Sequence, residues 1–138
     1  MLMIMVTGFF DILDGAIARY SGRSSPRGAF LDSMMDRFVD ILYYTTLILA
    51  GYNDLLVSIG LGLTITITYS KARAASLGVN LNHRFMERSD RIIIIAILVA
   101  IAPFLSAPQK CCLIAVYDIA LLASSITAVF KGFRFLGK

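Results

Sequence analysis

Charge is scarce in this chain of 138 residues, since Asp, Glu, Lys and Arg make up 16% of it and hydrophobic residues 58%. So little charge excludes a water-soluble domain of this size and makes a membrane protein the first reading. Cysteine is almost absent too. Cys111 and Cys112 are adjacent, so they supply neither a disulfide framework nor four zinc ligands. A vicinal disulfide would be strained, and the pair reads as two small apolar residues near a helix end. No Lys or Arg precedes Arg19, which excludes a signal peptide with a basic leading region. Repeats, low-complexity tracts and flexible linkers are missing as well, so residues 1–138 read as one integral-membrane domain. The single histidine, His83, falls in a polar loop and is expected to be solvated.

What is present is a series of apolar stretches. Residues 30–52, 55–77, 92–105 and 111–130 each read as a span, a crossing taking about 20 residues. Residues 1–10 are also apolar, but they provide only about half a crossing before the first aspartate and read as the end of a helix. The expectation is an all-α, polytopic bundle of about five transmembrane helices. Of the 13 basic residues, 4 lie in 19–37, 5 in 71–91 and 3 after Phe130, leaving Lys110 alone in the intervening turns. By the positive-inside rule these segments face the cytoplasm, in a multi-pass protein of the cell membrane. The formal charge of +4 is therefore read as topology, and no nucleic-acid partner is expected.

Acids are concentrated where they cost most. Asp11, Asp14, Asp32, Asp36 and Asp40 are five of the nine acidic residues and fall within the first 40 positions. An aspartate at mid-membrane costs about 2.5–3.5 kcal/mol even on the lenient scale, so these should face inward or sit near the interface. Asp11 and Asp14 are three apart, with Ala18 a further turn on, and Gly28, Asp32 and Asp36 follow at intervals of four, giving each helix one carboxylate face. Gly15, Ala18 and Gly28 let a backbone or a ligand approach closely. Four converging carboxylates repel one another, and a hard divalent cation relieves this through oxygen ligands. The plainer alternative is that they pair with Arg19, Arg23, Arg27 and Arg37 at the membrane surface.

Together these residues spell Asp11-x2-Asp14-Gly15-x2-Ala18-Arg19-x8-Gly28-x3-Asp32-x3-Asp36. The pattern resembles the signature of the CDP-alcohol phosphatidyltransferase family, with each fixed position present. The resemblance implies a six-helix, homodimeric membrane enzyme that moves a phosphatidyl-type group from a CDP-linked lipid to an alcohol and releases CMP. It also implies a helix ahead of the motif that this sequence lacks, so an N-terminally truncated domain is expected. By resemblance, Asp11, Asp14, Asp32 and Asp36 hold two Mg²⁺ or Mn²⁺ ions, and Asp36 also takes the proton of the attacking hydroxyl. Asp14, Gly15, Ala18, Arg19 and Gly28 would form the cytidine-phosphate pocket. Asp40 is expected to pair with Arg37 or to support the ligands.

The second basic segment reads Thr68-Tyr-Ser-Lys71-Ala-Arg73-Ala and then Glu87-Arg88-Ser-Asp-Arg91, and Lys131 closes the last span. Lys71, Arg73, Arg91 and Lys131 meet the same membrane face as the aspartates, and a basic pocket suits an acceptor carrying its own phosphate. The stretch resembles the branch of the family that makes phosphatidylinositol phosphate or its archaeal counterpart. That implies inositol 1-phosphate as acceptor and CDP-archaeol or CDP-diacylglycerol as donor. Glycerol 3-phosphate, serine and free inositol remain as alternative acceptors, and plain anchoring to anionic lipid as the alternative role of the basic set. From outside the family, a divalent-cation channel also lines up inward carboxylates, and an inactive fragment is a further reading. Glu87 is expected to orient Arg88 or Arg73, and Asp118 to make a satisfied polar contact inside the bundle. Ala120, Ser124 and Ala128 are expected to form a packing seam, with the threonines of residues 64–68 bonding back to their own helix.

Overall fold

Helix boundaries follow the punctuation of the sequence. The computed structural model describes residues 26–78 and 86–136, and among these every regular element is helical. Helix α1 is Pro26–Leu49, α2 Asp54–Ser76, α3 Arg88–Ile101 and α4 Ala107–Leu136, with a 3₁₀ turn Ala102–Phe104 after α3.

Proline opens α1, where its fixed φ suits the first helical position. Gly51 closes it at φ +80. The Gly51 N–H donates to Ile48 O at 2.9 Å and the Tyr52 N–H to Leu47 O at 3.2 Å, the paired bonds of a Schellman cap. Leu47 and Tyr52 are both buried in the same apolar cluster. The Asn53 side chain then accepts the Leu56 N–H at 3.1 Å and caps α2. At α3, the Glu87 N–H donates to Asp90 Oδ2 at 3.0 Å. Glu87 thus serves as a helix cap, which corrects the expectation that it pairs with Arg88 or Arg73. Pro103 ends the α-helical ladder of α3 in a single 3₁₀ turn.

Two tertiary bonds bring the α1–α2 and α3–α4 turns to the same side of the bundle. Lys110 Nζ donates to Ala50 O at 2.7 Å, and the Tyr52 hydroxyl donates to Leu98 O at 2.8 Å. Burial pushes the Tyr52 phenol pKa up, which keeps it a donor. Lys110 is therefore a tie between helices and not a lone surface cation.

Helices α2 and α4 pack most extensively. Val57, Gly60, Thr64, Ile67 and Ala74 form the buried face of α2. Ile114, Leu121, Ser124 and Ala128 are buried on α4, so the small-residue stripe is a packing seam. A methyl group on Gly60 would stand 2.5 Å from Asp118 Oδ1 and 3.1 Å from Tyr44 Cε1; the close approach of three helices requires glycine there.

Of the five membrane helices expected, four fall in the described residues, and two of these, α2 and residues 107–134 of α4, are long and apolar enough to cross a bilayer. Most of each lies outside the buried core, unlike the core helix of a soluble protein. Exposed Leu55, Ile59, Val116, Ile119, Ile126 and Phe130 suit lipid. Helix α1 has the length but carries Asp32, Asp36, Arg37 and Asp40. Helix α3 has 14 residues and at 1.5 Å per residue reaches about 21 Å, less than the hydrocarbon thickness of about 30 Å. The apolar residues 1–10 lie outside the described residues. Cys111 and Cys112 are free and exposed at the start of α4, without a vicinal disulfide.

Candidate active site

Helix α1 carries the acids as a ladder. Gly28, Asp32, Asp36, Asp40 and Tyr44 recur every fourth residue, so each is about 6 Å along the axis from the last. Burial rises along the ladder: Gly28 and Asp32 are exposed, Asp36 is half-buried, and Asp40 and Tyr44 are buried. A buried carboxylate needs a cation, and α1 and α3 supply it. Arg88 Nη1 lies 2.7 Å from Asp36 Oδ1, its Nε lies 3.8 Å from Asp40 Oδ1, and Arg37 Nη1 donates to Asp40 Oδ2 at 3.3 Å. Asp40 thus pairs with Arg37, as expected, and with Arg88 in addition. An exposed ion pair contributes about 0–1 kcal/mol. A short, half-buried, charge-assisted contact such as Arg88–Asp36 is the stronger kind, and it docks the start of α3 on the acidic face of α1.

One turn beyond Arg88, and on the same face of α3, Arg91 is buried. Its Nη1 donates to Thr64 O on α2 at 3.5 Å, and its Nε has no hydrogen-bond partner among the described residues. Lys71 is half-buried two turns from Thr64, on the same side of α2. Arg73 is exposed in the last turn of α2, where a cation complements the helix dipole. Lys131 is exposed near the end of α4. The basic set therefore comes from three helices, with Arg91 its buried member.

Asp11, Asp14, Gly15, Ala18 and Arg19 lie outside the described residues, as does His83. The described residues contain no group of three metal-ligating side chains. Asp32 and Asp36, one turn apart, present carboxylate oxygens, the donor type a hard divalent cation takes.

Three features were not anticipated from the sequence. Arg88 was expected only to pair with Glu87, whereas it bridges Asp36 and Asp40; the i, i+3 spacing to Arg91 was the available signal. Tyr44 extends the acid ladder, and its hydroxyl lies 2.6 Å from Thr64 Oγ1 and 2.9 Å from Tyr117 OH. Asp118 is buried as expected, but both its carboxylate oxygens lack a hydrogen-bond partner among the described residues. This corrects the expectation of a satisfied contact, because Asp118 packs on Gly60, which offers only backbone.

Comparison with known proteins bears directly on the acid ladder. The chain is 42% identical over 103 residues to an archaetidylinositol phosphate synthase of Aeropyrum pernix, an alignment covering 74% of this chain and 53% of that protein. It is 36% identical over 94 residues to the archaetidylinositol phosphate synthase of Methanothermobacter thermautotrophicus, covering 67% and 48% respectively. An uncharacterized protein of Aquifex aeolicus is 38% identical over 100 residues, covering 68% and 51%. The chain thus spans about half the length of these relatives. The family model for CDP-alcohol phosphatidyltransferase matches residues 1–130, which include the complete aspartate signature and helices α1 to α3, and the chain belongs to that family.

Proposed function

We propose that this chain is a membrane transferase that moves an archaetidyl or phosphatidyl group from a CDP-linked lipid to inositol 1-phosphate and releases CMP. The observation that carries the reading is the docking of the basic α3 segment on the acidic face of α1, through Arg88 and Asp36 at 2.7 Å. Arg91, suited to an acceptor phosphate, follows one turn beyond Arg88, the residue that pairs with this signature aspartate. The names of the two archaeal relatives support the same acceptor.

In this reading the acceptor hydroxyl bonds to the lipid-side phosphorus of the pyrophosphate, the bond from that phosphorus to the CMP oxygen breaks, and the hydroxyl proton passes to Asp36. Asp11, Asp14, Asp32 and Asp36 hold the divalent cations, Mg²⁺ or Mn²⁺, which supply charge neutralisation at the phosphoryl oxygens. Gly15, Ala18, Arg19 and Gly28, with Asp14, cradle the cytidine phosphate, and Arg19 offers its guanidinium to phosphate oxygen. Arg91 with Lys71, Arg73 and Lys131 binds the acceptor phosphate. Pairing with Arg88 holds the Asp36 carboxylate in place, while Arg37 and Arg88 balance Asp40.

The domain occupies residues 1–138 as a membrane bundle of about five helices, homodimeric by resemblance. Its basic helix ends face the cytoplasm, as the loop charges indicate.

The test is CMP release by the detergent-solubilised protein with a CDP-lipid and Mg²⁺, offered inositol 1-phosphate, glycerol 3-phosphate, serine or free inositol. Release with inositol 1-phosphate alone supports the reading. Release with a different acceptor discards the inositol phosphate assignment and keeps the transferase.

A further inference from the structure

Four of the helical threonines follow one habit. Thr45 donates to Ile41 O at 2.8 Å, Thr46 to Tyr43 O at 2.7 Å, Thr66 to Gly62 O at 2.9 Å and Thr68 to Thr64 O at 2.9 Å, all within their own helices. This is the back-bonding open to a helical threonine in an apolar setting. Thr64 departs from it. Its Oγ1 lies 2.6 Å from the Tyr44 hydroxyl on α1, which lies 2.9 Å from the Tyr117 hydroxyl on α4. Three buried hydroxyls thus join three helices. The carbonyl of the same Thr64 accepts from Arg91 on α3, the remaining helix.

Arg91 is 4% exposed. A guanidinium has five N–H donors in a fixed plane. Here Nη1 makes a long bond of 3.5 Å and the buried Nε makes none among the described residues. A buried cation with unused donors is built to receive an acceptor, and its orientation rests on the carbonyl that holds it. That carbonyl also accepts the Thr68 hydroxyl at 2.9 Å, and the Thr64 side chain, engaged across the bundle, ties this turn of α2 to α1. If the Tyr44 hydroxyl is removed, the Thr64 hydroxyl is free to take a carbonyl one turn back, as its neighbours do, and such back-bonding bends a helix.

We infer that Tyr44, acting through Thr64, is a positioning residue for Arg91 and thereby sets affinity for the phosphate of the acceptor. The inference rests on the proposed transfer to inositol 1-phosphate and extends the acceptor site to residues that never touch the substrate.

The experiment compares KM for inositol 1-phosphate with KM for the CDP-lipid in Tyr44→Phe, Thr64→Val and Thr64→Ser. Tyr44→Phe and Thr64→Val are expected to raise KM for inositol 1-phosphate about fivefold, the scale of one buried hydrogen bond, and to leave KM for the CDP-lipid within twofold. Thr64→Ser keeps the hydroxyl and is expected to restore the original KM. Thr66→Val removes an exposed, back-bonded hydroxyl and is expected to change neither constant. In an Arg91→Ala background, Tyr44→Phe is expected to have no further effect on KM. A rise in both KM values together, or a Tyr44→Phe effect that persists without Arg91, would show a merely structural role and overturn the inference. If the unmodified protein shows no preference for inositol 1-phosphate, the functional reading falls and takes this inference with it. If that preference holds while Tyr44→Phe leaves it intact, the inference alone falls.

Discussion

The two ends of the bundle are built by opposite rules. At the turn end, polar groups find partners that are short and largely local. Asn53 caps α2 at 3.1 Å, Gln109 Oε1 accepts the Ser106 N–H at 2.9 Å, Gly51 completes the cap of α1, and Lys110 and Tyr52 satisfy carbonyls of neighbouring helices at 2.7 and 2.8 Å. Toward the basic end, charges converge from helices far apart in sequence. Asp36 meets Arg88, and Arg91 keeps a buried Nε–H without a hydrogen-bond partner among the described residues. A polar group that is satisfied rigidifies, whereas one left partly unsatisfied costs stability unless a ligand completes it. One end therefore reads as scaffold and the other as site.

The contrast breaks first where effects should be largest. Asp36→Asn is expected to lower CMP release at least about a hundredfold, the usual contribution of a proton-accepting side chain, with a much smaller loss of stability from the weakened Arg88 pair. Equal losses of activity and stability would make Asp36 part of the scaffold. Gly60→Leu should act the opposite way, since its side chain would run into Asp118 and Tyr44. Overpacking of this kind costs about 1–3 kcal/mol, and thermal unfolding in detergent would show it. Gly51→Ala places a Cβ on a residue at φ +80 with Lys110 Nζ 3.3 Å away, for an expected loss of about 1–2 kcal/mol. Lys110→Met removes the bond to Ala50 O; for this half-buried group the loss should be about 1 kcal/mol, read by the same unfolding measurement with KM values unchanged.

The scaffold was the more legible half, because its signals are local. Gly51, Asn53 and Pro103 announce helix ends whatever the tertiary context. The expected stretches 30–52 and 92–105 were nevertheless displaced from the observed Pro26–Leu49 and Arg88–Ile101. Counting apolar residues misses a helix that starts on Pro26 or under a Glu87–Asp90 cap in polar sequence. It likewise misses the overhang of α4, which runs from Ala107 to Leu136 past the apolar core at 111–130. At the site, the ladder Asp32, Asp36, Asp40 was visible as a helical period, and Tyr44 continues that period at the next fourth residue. What spacing does not reveal is which helix stands opposite. Arg88 meeting Asp36, Thr64 meeting Tyr44 and Asp118 packing on Gly60 join residues 52, 20 and 58 positions apart. Such contacts depend on how the helices are assembled.

The most direct measurement is the pair of Michaelis constants in Arg91→Ala, one for inositol 1-phosphate and one for the CDP-lipid. If the buried guanidinium receives the acceptor phosphate, KM for inositol 1-phosphate should rise about tenfold or more, since a charge-assisted bond contributes about 1.5–3 kcal/mol. KM for the CDP-lipid should stay where it is. Unchanged constants, or an equal rise in both, would contradict the assignment of this end of the bundle to acceptor recognition.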